Sequence, residues 1–93
     1  MKTMVVYGLR TGASFSEAAR RFVSGEAGPP EGLTLLGRWH SVDMSTGFAL
    51  YDSEDAAPHY AAAAKWVDVL EFKTYLVIED NEAGPILASI AKK

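Results

Sequence analysis

The stretch from Leu33 to Asp52 constrains this chain more than any other. Two apolar, strand-like segments flank the polar turn Asp43-Met44-Ser45-Thr46, which is the pattern of an antiparallel hairpin. Strand two is expected from Leu33 to Val42 and strand three from Gly47 to Asp52. A loop limited to Asp43–Thr46 pairs Val42 with Gly47. Side chains alternate along a strand, so this register places Leu35, Trp39, Phe48 and Leu50 on one face. Leu36, Arg38, His40, Ala49 and Tyr51 then share the other. A loop shorter by one residue would group Trp39 with Ala49 and Tyr51 instead.

The rest of the chain alternates between the two periodicities. Thr3 to Arg10 is rich in β-branched and aromatic residues and reads as strand one. After the break at Thr11-Gly12-Ala13, Ser14 and Glu17 have capping-box spacing, and Phe15, Ala18, Ala19, Phe22 and Val23 repeat at helical intervals. Gly25 is a natural stop, and Pro29-Pro30 stiffens the connection that follows. Asp55 is the expected cap of a second helix, with Pro58 in its first turn and a buried stripe of Tyr60, Ala63, Ala64 and Val67. Glu71 to Glu79 reads as strand four. A turn at Asp80-Asn81-Glu82 then leads to a short helix that starts near Pro85 and buries Ile86, Leu87 and Ile90. The charged residues Glu17, Arg20, Arg21, Glu54, Lys65 and Asp68 read as solvated helix faces.

Length and composition narrow the function classes. The 93 residues make one domain, 1–93, that buries roughly 64% of its unfolded surface. With no cysteine, neither a disulfide framework nor a thiolate metal site is available, which fits a reducing, cytoplasmic setting. The net charge is −3 and the basic residues are scattered, which argues against nucleic acid as a partner. The apolar run Met4–Leu9 is too short for a membrane span.

The order β-α-β-β-α-β plus a terminal helix, with right-handed crossovers, implies an α+β, ferredoxin-like fold with a four-stranded antiparallel sheet. Its two main helices can cover only one face. Strand one nevertheless offers Val5, Tyr7 and Leu9 on one side and Met4 and Val6 on the other. Strand four offers Phe72, Leu76 and Ile78 against Tyr75 and Val77. A face left to water should be polar. A second copy packed sheet to sheet is the economical cover, so a homodimer is expected.

The element order, the two-sided apolar sheet and the length resemble the dimeric α/β-barrel superfamily. Gly37-Arg38-Trp39-His40 followed by Gly47-Phe48-Ala49-Leu50 resembles a family of small bacterial domains of unknown function within it. That superfamily includes cofactor-independent monooxygenases, haem-degrading enzymes, lactone isomerases and ligand-sensing modules. The resemblance implies fold more firmly than activity. His59 matches the haem group's helix histidine loosely, but those proteins carry an asparagine on the first strand, and the single asparagine here is Asn81. No cofactor is expected, and no metal site either, since nothing in the spacing brings His40, His59 and a carboxylate together.

Two functions are consistent with the Arg-Trp-His cluster. In the first, the chain is a small-ligand-binding or interaction module, and Arg38, Trp39 and His40 shape an interface or a cavity. In the second it is a cofactor-free monooxygenase- or isomerase-like enzyme acting on a small aromatic or anionic compound. There His40 would be the catalytic base, Arg38 the anion clamp, and Trp39 and Tyr51 the stacking wall. Plainer roles exist for each residue: a structural histidine at a dimer seam, an Arg38 ion pair with Asp43, with Asp52 or with a carboxylate of a second copy, and aromatics that are simply core.

Overall fold

The computed structural model describes residues 1–92. The elements are β1 (Lys2–Leu9), α1 (Phe15–Arg21) running into a π-helical turn (Phe22–Glu26), β2 (Thr34–His40), β3 (Gly47–Asp52), α2 (Ala57–Ala64), β4 (Leu70–Val77) and α3 (Asp80–Ala91). The sheet order is β2-β3-β1-β4 and every neighbouring pair is antiparallel. This is the α+β, ferredoxin-like arrangement expected from the element order. Among the described residues, no helix is long and apolar enough to cross a membrane.

Local chemistry explains the start and stop of α1. The Ser14 hydroxyl accepts the Glu17 amide at 3.2 Å, which is half of a capping box. The other half is missing because the Glu17 carboxylate turns to Arg20, accepting Nη2 at 2.6 Å. Gly25 ends the helical path with φ of 94°, a left-handed conformation that suits glycine. Arg21 departs from the expected solvated face. Its side chain is only 14% exposed, lies 4.8 Å over the Trp66 ring and bonds both Asp68 carboxylate oxygens. It ties α1 to the segment after α2.

The hairpin keeps its expected faces but not its expected register. His40, rather than Val42, lies opposite Gly47, so the loop runs from Ser41 to Thr46. The slip is two residues, and an even slip leaves every side chain on its own face. Trp39 therefore lies opposite Phe48 instead of Leu50, and Arg38 opposite Ala49 instead of Tyr51, each still on its expected face. A bulge between Leu35 and Gly37 then shifts the ladder by one, which brings Leu35 opposite Tyr51, on the Arg38 side. Leu35 was expected with Trp39. Polar side chains hold the longer loop: Asp43 Oδ1 accepts the hydroxyls of Ser41 and Ser45 at 2.7 Å each and the Ser45 amide at 3.0 Å.

The two later helices depart further. The Asp55 side chain does not cap α2. Its N-cap residue is Ala56, with no side-chain bond, and Pro58 sits in the first turn. The inward stripe is His59, Ala62, Ala63 and Trp66, while Tyr60 and Val67 face solvent. Both stripes have helical spacing. The observed one wins because Thr3 and Ser53 offer hydroxyls to the His59 imidazole. The last helix begins at Asp80 rather than near Pro85, so the proline lies inside it. Its Ile86, Leu87 and Ile90, expected to be buried, are 59%, 62% and 58% exposed in the isolated chain.

The core lies between the sheet and its two main helices. Val5, Leu33, Ala49 and Val69 are the buried apolar residues among those described. β1 sends Thr3, Val5 and Tyr7 toward the helices and Met4 and Val6 to the bare side, as its partners on β3 and β4 require.

The Asp43 carboxyl is a direct reporter of the turn. Its hydrogen bonds from Ser41 and Ser45 lower its pKa from 3.8 to about 2. A depressed carboxyl stabilises the fold above its unfolded value and loses that effect as pH falls through the folded one. The Ser45 amide resonance should therefore titrate with a midpoint near 2; a midpoint at 3.8 would mean that Asp43 is free.

Candidate functional site

Chemistry-bearing side chains gather on the helix-covered face of the sheet. Arg38 from β2, Tyr51 from β3 and Tyr7 from β1 line one cavity of about 70 Å³, closed over by Phe22, Trp66 and Ala63. The positions follow from the pleat: Arg38 is opposite Ala49 and two residues from His40, and Tyr7 is opposite Gly47. A Cβ at Gly47 would run into the Tyr7 ring, so only glycine lets the phenol lie across the centre of the sheet.

Arg38 is the centre of the site. Its Nη2 donates to the Tyr51 hydroxyl at 2.8 Å, and its guanidinium lies 5.2 Å from the centre of the Phe22 ring. Among the described residues no carboxylate comes within ion-pair distance of it. Asp43 is occupied in the turn, and Asp52 meets the Met1 amino group at 3.3 Å. Its Nε is buried with no hydrogen-bond partner, and so is the Tyr7 hydroxyl. Burial raises the Tyr7 phenol above its usual pKa, with Arg38 pulling the other way, so the hydroxyl stays protonated near neutrality. The Tyr51 oxygen already accepts from Arg38, which frees its proton. The cavity thus presents N–H and O–H donors and has no anion to match them.

The other residues singled out in the sequence are dispersed. Trp39 lies on the opposite, uncovered face, 56% exposed, with its indole folded over Gly37; a Cβ there would come within 2.5 Å of the ring. The space left by Gly37 is therefore filled by its neighbour. His40 shares the sheet face with Arg38 but sits at the end of β2, edge-on to Phe22 with centroids 5.4 Å apart. It lines a second, larger cavity of about 350 Å³ beside α1, together with Phe15, Ala18, Val23 and Met44.

His59 is the residue that sequence patterning placed least well. It lines the inner cavity, and both its nitrogens are engaged: Nδ1 lies 2.8 Å from the Thr3 hydroxyl and Nε2 2.7 Å from that of Ser53. The Ser53 hydroxyl donates to the Asp55 carbonyl, so it must accept from Nε2–H. Nδ1 is then the acceptor for the buried Thr3 hydroxyl, which assigns the neutral tautomer. Burial lowers the His59 pKa. The hydroxyls at i−6 and on β1 were a signal only in three dimensions. Among the described residues, no three His, Asp or Glu side chains converge as a metal cluster.

The fold and this cavity define a small ferredoxin-like domain with an unneutralised, donor-lined site under its helices. The chain belongs to the domain of unknown function family DUF3303, whose family model matches residues 1–91. No curated protein matches it.

Two tests follow from the packing. The folded His59 pKa is below 6.5, so the unfolded chain takes up a proton first as the medium acidifies. This contribution is complete above 6.5 and is lost as pH falls through the folded value. Urea midpoints should drop as pH falls below 6.5 in the wild type and less in His59→Gln. Gly47→Ala should destabilise the fold by about 1–3 kcal/mol through displacement of Tyr7, measured by the same melts.

Proposed function

We propose that this chain is a homodimeric α/β-barrel module of the cytoplasm that binds a small anionic ligand at Arg38, Tyr51 and Tyr7. The observation that carries the ligand reading is Arg38 itself. A partly buried guanidinium without a counter-charge costs free energy, and so does each buried donor without an acceptor. One anion in the cavity would relieve all three. The alternative, a cofactor-free enzyme with His40 as base, sets the base in the outer cavity, with Phe22 between it and the Arg38 donors. Binding requires no such relay.

Surface area supports the homodimer. A compact monomer of 10.1 kDa exposes about 5,300 Å², and this chain exposes 6494 Å². Its radius of gyration is 15.8 Å, against about 12 Å for a compact chain of this length. The surplus of about 1,200 Å² per copy, doubled, falls within the range of obligate homodimers. Its location is apolar: Trp39, Tyr75 and Val6 on the bare sheet face, and Ile86, Leu87 and Ile90 on α3. A second copy brings the same surfaces and covers both. Trp39, by this reading, is a seam residue rather than a wall of the cavity.

Light scattering at micromolar concentration should give twice the chain mass, and Val6→Glu with Trp39→Glu should reduce it to one. A wild-type monomer would refute the dimer. For the ligand, acetate or phosphate should shift the Arg38 Nε–H resonance in the wild type, and Arg38→Met should abolish acetate binding measured by calorimetry. No response of Arg38 to any anion would overturn the binding reading.

A further inference from the structure

We infer that the ligand is an amphipathic monocarboxylate whose carboxylate sits among Arg38, Tyr51 and Tyr7 and whose apolar tail runs into the outer cavity beside α1. This rests on the ligand-binding reading above and adds the class of molecule.

Size sets the first condition. The inner cavity, about 70 Å³, accepts a head group and little more. A cavity that holds benzene is about 150 Å³, so an aromatic ring does not fit there beside its own carboxylate. The rest of the ligand must lie elsewhere. The outer cavity offers about 350 Å³ and shares Tyr7, Phe22, Trp66 and Leu70 with the inner one, so the two adjoin.

Charge sets the second. Arg38 is the partly buried cation of the inner cavity, with its Nε fully enclosed. The other cation on its lining, Lys65, directs its ammonium to the Gly28 carbonyl at 3.4 Å and is an exposed residue. One guanidinium and two phenols balance a monoanion, whereas a phosphate dianion would carry excess charge into an aromatic enclosure. The outer cavity holds no carboxylate, lysine or arginine; Leu9, Phe15, Val23 and Met44 line it, and His40 stands at its edge. Alanines at positions 18 and 19, where α1 faces the loop after β2, leave the width. A donor-lined end joined to an apolar end matches a molecule with the opposite arrangement.

Phe22 is the residue between the compartments. It opens the π-helical turn and covers the Arg38 guanidinium, and the tail would run past its ring.

Calorimetry on the intact protein with acetate, butyrate, octanoate, octanamide and inorganic phosphate tests this. Affinity should rise by up to about fourfold per methylene from acetate to octanoate. Octanoate should exceed octanamide by about tenfold or more, a preference lost in Arg38→Met. Ala19→Phe, which fills the outer cavity, should weaken octanoate by about tenfold and leave acetate unchanged. A flat length series, or phosphate binding more tightly than octanoate, overturns this inference while leaving the anion site intact. The flat series is also the outcome expected if the second copy occupies the outer cavity. Equal binding of octanoate and octanamide, indifferent to Arg38, overturns the anion site as well. If Arg38→Met does not fold, Arg38→Lys and Tyr7→Phe supply the head-group contrast: both should weaken octanoate more than octanamide.

Discussion

A β-strand sends its side chains to both sides of its sheet, and β1, one of the two inner strands here, is apolar on both. The helices that α1 and α2 provide can clad a single face. What lies beneath them is thin: the buried apolar set is Val5, Leu33, Ala49 and Val69, and no large side chain among those described is wholly enclosed. Folded domains are stable by a small margin between large terms, and a core of this size leaves little of it. The packing on the clad side must also hold two tyrosines, an arginine and a histidine. The chain meets that demand by pairing most of their polar atoms: His59 bridges Thr3 and Ser53, and Arg38 reaches Tyr51. The atoms left over, Arg38 Nε and the Tyr7 hydroxyl, mark where the protein's own groups run out.

The same pleat therefore produces two surfaces with different chemistry. Toward the helices it gathers donors around a small cavity; away from them it gathers Trp39, Tyr75 and Val6. Glycine does parallel work on the two sides. Gly47 makes room for the Tyr7 ring on one, and Gly37 receives the Trp39 indole on the other. In both cases an aromatic ring occupies the space that a side chain would take, which restricts its position.

Much of the architecture was legible in the sequence, for reasons that can be named. Strand alternation in β1 and β3 and the Ser14 cap are local signals, and they identified the elements and the ferredoxin-like order. The grouping of Arg38, His40, Ala49 and Tyr51 on one face survived a wrong register because the slip was even. The bulge after Leu35 was not legible, since an unpaired residue leaves no mark on an alternating pattern. The stripe of α2 was misjudged because an alanine-rich helix fits several faces equally, and the deciding partners of His59 lie on β1 and in the loop after β3. Nor could spacing tell that Tyr7 joins Arg38, because their meeting depends on the β1–β3 pairing. For α3, periodicity identified an apolar side correctly but could not say that it would stay largely exposed in the isolated chain.

The placement of the two tryptophans has an optical consequence. Trp66 borders both cavities on the covered face, while Trp39 lies on the bare one. Emission from one indole would respond to what enters beneath the helices, and emission from the other to what settles on the open sheet. With each replaced in turn by phenylalanine, the molecule carries its own pair of separate spectroscopic gauges, with no attached dye.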